Sequence, residues 1–251
     1  MIKKIFLGLM AMGLFLPVAI SAAPVQRNFL PGKNTQLRRG VSGNWSGYAV
    51  ESSLANPTLN SVSDVAGQWT VPKVTCSRST NYSSVWLGID GYSSATVEQL
   101  GTEQDCYRGR AYYSTWYEMY PQYAYNTPVA IKAGDVMSAE VKYLGANQYS
   151  LSLNDLTTNK SFQTTQTMAG ASRTSAEWIV EAPSSWYGVL PLANFSPVAF
   201  TNSQATLSGQ TGSINSSSWQ RDSITMVNYR GVAISIPSPL STDGTSFSVV
   251  R

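Results

Sequence analysis

The chain has 251 residues, with 17 Lys+Arg, 14 Asp+Glu, two Cys and no His. Without His there is no Ser-His-Asp or Cys-His nucleophile pair and no His-ligated metal, so any hydrolytic chemistry must run on carboxylates, amides, hydroxyls or lysine. Charged residues make up 12%, about half the usual share, while aromatic residues reach 11%; this combination excludes a disordered chain and points to a secreted β protein.

At the N-terminus, Lys3 and Lys4 precede an apolar run from Ile5 to Ile20 and then the small residues Ser21, Ala22 and Ala23. That is the three-part layout of a secretory signal peptide over residues 1–22, cleaved after Ala22; the run is short for a membrane span and no stop-transfer pattern follows. Residues 23–40 hold Pro24, Arg27, Pro31, Gly32, Lys33, Arg38 and Arg39 and no acidic residue, which reads as a basic propeptide or linker. All the acidic residues lie beyond it, so the net charge of +3 for the whole chain becomes −3 from Val41 onward. The positive excess sits in the part expected to be shed, which leaves a nucleic-acid surface unsupported. We expect residues 41–251 to form one domain. In an exported protein, Cys76 and Cys106 most simply pair, closing a loop of about 30 residues, a bond typically contributing ~3 kcal/mol.

Helical periodicity is almost absent, and period-two alternation recurs. In chain order it runs over Val62 to Trp69, Ile131 to Tyr143 around the Gly134-Asp135 turn, Tyr149 to Leu153, Ala176 to Val180 and Phe247 to Val249. Turn formers stand between, as at Gly145-Ala-Asn147, Thr158-Asn159-Lys160 and Ser241-Thr-Asp-Gly244. Many short strands punctuated by turns predict an all-β fold, an antiparallel β-sandwich in preference to a barrel.

Two segments place carboxylates and amides on strands beside aromatic residues. One is Trp86-Leu-Gly-Ile-Asp90-Gly91 followed by Thr96-Val-Glu98-Gln99-Leu-Gly101; the other is Ser175-Ala-Glu177-Trp178-Ile-Val-Glu181. Alternation in the second puts Ala176, Trp178 and Val180 on one face and Glu177, Ile179 and Glu181 on the other. If the Trp178 face is core, Glu181 projects into a groove or into water. Spacing alone does not bring Gln99 and Glu181 together, and most Glu or Gln residues on strands are solvated and idle.

The ordered set Asn44-Trp45-Ser46-Gly47, Trp86-Leu-Gly-Ile-Asp90-Gly91, Glu98-Gln99-Leu-Gly101, Trp116-Tyr117-Glu118-Met-Tyr120-Pro121 and Ala176-Glu177-Trp178-Ile-Val-Glu181 resembles the glutamic peptidases, the eqolisins of peptidase family G1. The resemblance covers most of the chain after the leader. It implies a lectin-like, concanavalin-type sandwich of two antiparallel sheets of about seven strands each, and acid-active endopeptidase chemistry. It also implies a catalytic pair, Gln99 and Glu181, with Trp45, Trp86, Asp90, Glu118 and Tyr120 binding substrate or supporting the pair. The spacing after Asp90 is one residue shorter than the fungal pattern, so Glu98 remains an alternative for the active position. Ser114 stands where fungal members have an Asp two residues before the Trp116 motif.

The chemistry suits the composition. A carboxylate with an ordinary pKa near ~4.3 still ionises where a His base would be protonated. A Gln amide offers N–H donors that do not titrate. The expected reaction is direct attack by water with no covalent intermediate, no cofactor and no metal, on polypeptide substrates, by a monomer without nucleic-acid or membrane partners. The aromatic string Trp116, Tyr117, Tyr120, Tyr123 and Tyr125, with Trp45 and Trp86, is expected to divide between a substrate groove and the core. The leader cations Arg27, Lys33, Arg38 and Arg39 are expected to pair with an acidic cleft at neutral pH and release in acid. The rival readings are a lectin-like carbohydrate-binding sandwich, a glycosidase pairing Glu98 or Glu118 with Glu181, and an adhesive surface protein.

Overall fold

A computed structural model describes residues 35–251; the segment expected to be a signal peptide and most of the expected basic leader, including Arg27 and Lys33, lie outside the described residues. In chain order the strands are β1 Gln36–Arg38, β2 Val41–Ser42, β3 Trp45–Glu51, β4 Val62–Thr70, β5 Ser84–Ile89, β6 Val97–Tyr107, β7 Arg110–Tyr120, β8 Tyr125–Asn126 and β9 Val136–Gly145. They continue as β10 Gln148–Asp155, β11 Lys160–Thr167, β12 Ser175–Glu181, β13 Ser184–Ser185, β14 Gly188–Val189, β15 Val198–Leu207, β16 Gln210–Ser213, β17 Gln220–Val227, β18 Ala233–Pro237 and β19 Phe247–Val250.

The principal strands form two layers. The first has the order β17-β3-β12-β5-β6-β7-β8, seven strands, all antiparallel. The second runs β11-β10-β9-β4-β15, after which β16 and β19 share the far side of β15, and β18 follows β19. β18 also pairs with β17, so the hydrogen-bonding passes from one layer to the other along a single edge. The expected sandwich of two sheets of about seven strands is the observed architecture.

Alternation builds the core between the layers. The first layer sends Tyr48, Val50, Val85, Leu87, Leu100, Trp178 and Val180 inward, and the second answers with Val65, Trp69, Met137, Val141, Leu151, Leu153 and Phe200, all buried. Polar atoms of the large rings are paired across the gap: Trp178 Nε1 donates to the Ala66 carbonyl at 2.9 Å and Trp69 Nε1 donates to Thr102 Oγ1 at 3.0 Å. Indoles are tolerated there because each N–H has an acceptor on the opposite sheet.

The alternating segments read from the sequence are strands, with one difference. The run from Ile131 becomes a strand only at Val136, because Asp135 Oδ2 accepts the Lys132 amide and closes a turn, while Gly134 N donates to Val71 O. The predicted turns carry the positive φ they need, at Gly145, Ala146, Asn147, Asn159 and Gly244. Cys76 and Cys106 form a disulfide that ties the loop after β4 to β6.

Candidate active site

The site lies on the face of the first layer that points away from the second. Strand pairing sets its rows. Gln99 on β6 stands level with Gly88 on β5 and Glu118 on β7, and Gly88 in turn with Glu177 on β12. The next row holds Trp116, Gly101, Trp86, Ile179 and Gly47. Beyond it Glu181 on β12 is level with Ser84 and Trp45. Gln99 and Glu181 therefore share one face two strands apart, on a diagonal that passes over Trp86.

Both ends of Glu181 are held by uncharged donors. Asn44 Nδ2 donates to Glu181 Oε1 at 3.1 Å and Trp86 Nε1 donates to Oε2 at 2.8 Å. The Asn44 amide cannot be turned round without loss, since its Oδ1 accepts from Thr35 N, Thr35 Oγ1 and Ser42 Oγ. Ser42 Oγ also accepts the amides of Asn44 and Trp45, which fixes the entry into β3. Glu181 itself is fully buried.

Gln99 is oriented in the same way from the other side. Its Nε2 donates to Glu118 Oε2 at 2.6 Å, a short bond. That contact uses one of the two N–H groups and fixes which end of the amide faces Glu118; Oε1 makes no hydrogen bond among the described residues. The floor between the pair is aromatic. Trp45 and Trp86 meet edge to face with ring centroids 4.9 Å apart, within a buried cluster that includes Trp116, Ile179 and Ile224, with Tyr120 packed against it. Gly88 is required here for space: a Cβ would come within 2.9 Å of the Gln99 Cβ and 3.3 Å of Trp86 Cζ3.

Asp90, buried and at φ 72°, ties the site strands together at their far end. Its carboxylate accepts the amides of Arg173 at 2.6 Å and Thr174 at 2.9 Å, just before β12, and is reached by Thr96 Oγ1 at 3.4 Å, just before β6. One side chain thus fixes the approach of the strands carrying Glu181 and Gln99.

The alternative Glu98 points to the opposite face from Gln99 and Glu181. It pairs with Ile89 and Met119, both in the core between the sheets, and burial drives its carboxyl well above the usual range, with the Asp90 charge adding to the effect. Two further carboxyls on the site face are also pushed up, chiefly by burial: Glu177, well above the usual range, and Glu51, to about 7. Ser114 is paired directly with Glu103 of β6, so that side of the face has a carboxylate from the neighbouring strand.

Residues 43–237 match the Peptidase A4 family. The chain is 30% identical over 217 residues to Aspergillopepsin-2 of Aspergillus niger, covering 73% of each protein. It belongs to the peptidase A4 family. It is therefore a glutamic-type peptidase, a hydrolase of peptide bonds. Among solved structures, aspergilloglutamic peptidase from Aspergillus niger is 30% identical with a TM-score of 0.60, covering 68% of this chain and 99% of that one. Scytalido-glutamic peptidase bound to a transition state analog inhibitor shares the fold, with a TM-score of 0.69 at 24% identity over 83% of this chain and 98% of that one.

Several features of this peptidase were not legible beforehand. Asn44 opens the Asn44-Trp45-Ser46-Gly47 motif, but nothing in the sequence marks it as a donor to Glu181. The aromatic string divides by alternation: Trp116 and Tyr120 are on the site face, whereas Tyr117 stacks with Tyr125 and Phe162 at the core face, 5.6 and 5.7 Å between centroids. Tyr117 and Tyr125 are accordingly the core share of the string. Pairing Glu98 with Glu181 in a glycosidase is removed by the same alternation.

Proposed function

We propose that this peptidase is a secreted, acid-active endopeptidase in which Glu181 is the general base and Gln99 the oxyanion donor. The observation that carries the reading is the paired bracing of the two side chains: Glu181 by Asn44 and Trp86, Gln99 by Glu118. Side chains fixed this way meet the demand of catalysis that donors and bases be positioned before the charge develops.

In the proposed reaction Glu181 takes a proton from a water molecule, whose oxygen attacks the carbonyl carbon of the scissile amide. The carbonyl oxygen becomes an oxyanion, and the second N–H of Gln99 Nε2, the one not given to Glu118, donates to it. Glu181 then returns its proton to the amide nitrogen as the C–N bond breaks, yielding a carboxylic acid and an amine. No covalent intermediate with the protein forms, and Gln99 keeps its protons throughout. Acid suits this machinery because neither partner needs a His, and because burial of Glu51 and Glu177 favours their neutral forms in acid.

The test is cleavage of a denatured protein across acidic to neutral pH in the presence of an aspartic-protease inhibitor. Activity confined to acid and insensitive to the inhibitor is expected. Gln99→Ala should cost ~10²- to 10³-fold in kcat, the loss typical of one oxyanion donor, and Glu181→Gln at least as much. Full activity in either variant, with the fold intact, would overturn the assignment.

A further inference from the structure

Residues 35–40, the end of the segment expected to be a basic leader, are built into the sheet. β1 pairs with β2, Gln36 with Ser42 and Arg38 with Val41, and the Gly43 amide donates to the Thr35 carbonyl at 3.0 Å. Gly40, at φ 75°, sits in the turn between them; its amide donates to Asp222 Oδ2 at 2.7 Å and its carbonyl accepts the Thr225 amide at 2.9 Å. Gln36 Nε2 donates to the Tyr92 hydroxyl at 3.2 Å, and an Arg39 guanidinium N–H donates to the Leu54 carbonyl at 3.0 Å. The segment is thus tied to β2, to β17 and to the loops that carry Leu54 and Tyr92, and its backbone groups find their partners in the domain.

Thr35, at the head of this segment, stands against the brace on Glu181. Its amide and its hydroxyl both donate to Asn44 Oδ1, at 2.8 and 2.9 Å, while Asn44 Nδ2 donates to Glu181 Oε1 at 3.1 Å. The two ends of an Asn amide are nearly the same shape, so donors on its oxygen decide which end faces the carboxylate. Ser42 Oγ is one such donor, and Thr35 supplies two more. The Thr35 backbone N–H cannot accept, so a turned amide would set two donors against each other. Space is matched to the contact as well: a Cβ at Gly43 would lie 2.7 Å from Thr35 Oγ1.

We infer that Thr35 is a positioning residue for Glu181, acting through Asn44, and that residues 35–40 stay in the active enzyme, any processing of the leader ending before Thr35. The inference rests on the assignment of Glu181 as the base. Donation from Asn44 favours the ionised carboxylate, the form that takes a proton from water. A looser Asn44 donates less, and Glu181 then ionises at higher pH. The other ionisable groups of this face are spread around it. Glu103 shares the row of Glu181 and Ser84, and Glu118 holds Gln99. Glu177, Asp222 and Glu51 lie toward the start of β12, with Arg39 favouring the ionised form of Glu51. A substitution at Thr35 leaves all of them in place.

The test uses enzyme matured from the full chain. Mass spectrometry of the active form should find an N-terminus at or before Thr35. Thr35→Ala is expected to lower kcat about two- to tenfold at constant KM, the range of one neutral hydrogen bond, and to move the acid limb of the kcat/KM profile to higher pH. Thr35→Ser, which keeps the hydroxyl, should restore both. Gly43→Ala, which displaces that hydroxyl, should move the limb in the same direction. In an Asn44→Ala background, Thr35→Ala should have no further effect, because the link it acts through is gone. An active enzyme that begins after Thr35, an unmoved profile in Thr35→Ala, or an equal loss with and without Asn44 would overturn the inference while the Gln99–Glu181 reading stands. Full activity in Glu181→Gln would overturn that reading instead.

Discussion

The two faces of β12 differ by one residue in register and by everything in purpose. Ala176, Trp178 and Val180 face the second layer, where packing against Val65 and its neighbours is enough and the one polar atom, Trp178 Nε1, is matched by a carbonyl. Glu177, Ile179 and Glu181 face away from it and are just as buried, and at the end of that face Glu181 is held by side-chain N–H donors from Asn44 and Trp86. The comparison shows that burial does not separate core from site in this fold; what separates them is whether the neighbours are apolar surfaces or oriented N–H groups.

The largest effect should come from breaking the packed face. Trp178→Ala removes a fully buried indole between the sheets and should lower stability by about 3–5 kcal/mol, read as a shift in the denaturation midpoint at unchanged slope. Activity per folded molecule should change far less. A large loss of kcat in the folded fraction would show that the two faces are coupled.

Next comes the floor shared by Gln99 and Glu181, the proposed catalytic pair. Gly88→Ala would bring a methyl group within 2.9 Å of the Gln99 Cβ and 3.3 Å of the Trp86 ring, neither of which has room to retreat. Overpacking of this kind costs roughly 1–3 kcal/mol. It also displaces both side chains that define the diagonal, so kcat should fall by more than the stability loss predicts. Wild-type turnover in the variant would mean that the position of Gln99 over Gly88 is not critical.

A smaller effect tests the bracing itself. Trp86→Phe keeps an aromatic ring on the floor but removes the donor 2.8 Å from Glu181 Oε2. Leaving a buried carboxylate oxygen without that bond costs about 2 kcal/mol. The pH profile of kcat/KM should move as the base loses support, and the peptide-length dependence should stay the same. An unmoved profile would assign Trp86 to packing alone.

How much of this was readable from the sequence follows the same division. Period-two alternation is a property of the backbone pleat, so the face of Trp178 and the opposite face of Glu181 could be assigned from residues 175–181 alone. The turn at Asn159 was legible for an equally local reason, and the Cys76–Cys106 pair because the chain has only two Cys to join. What was not legible needs two or more strands distant in sequence: Asn44 reaching Glu181 across 137 positions, or Tyr117 finding Phe162 on the other sheet. Glu98 and Gln99 were left as alternatives because neighbouring residues differ only in face, and the face of β6 is set by Ile89 and Met119 on its flanks.

The smallest effect distinguishes the buried carboxyls of the site face from ordinary surface acids. Glu51 lies against Ser93, whose hydroxyl donates to it, with the charges of Asp90 and Asp222 opposing its ionisation and that of Arg39 favouring it; burial is the largest influence and its pKa is raised to about 7. In the unfolded chain the same group ionises near 4.5. Between those values the folded protein holds a proton that the unfolded chain has released, so stability falls as pH rises through this window and is flat below it. Glu51→Gln keeps an acceptor for Ser93 and removes the titration. Its melting temperature should match the wild type near pH 4 and exceed it at pH 7.5, by an amount corresponding to about 1 kcal/mol after allowance for solvent screening. Equal melting temperatures at both pH values would mean that Glu51 ionises in the folded protein at no cost, and that the site face treats its acids no differently from the outer surface.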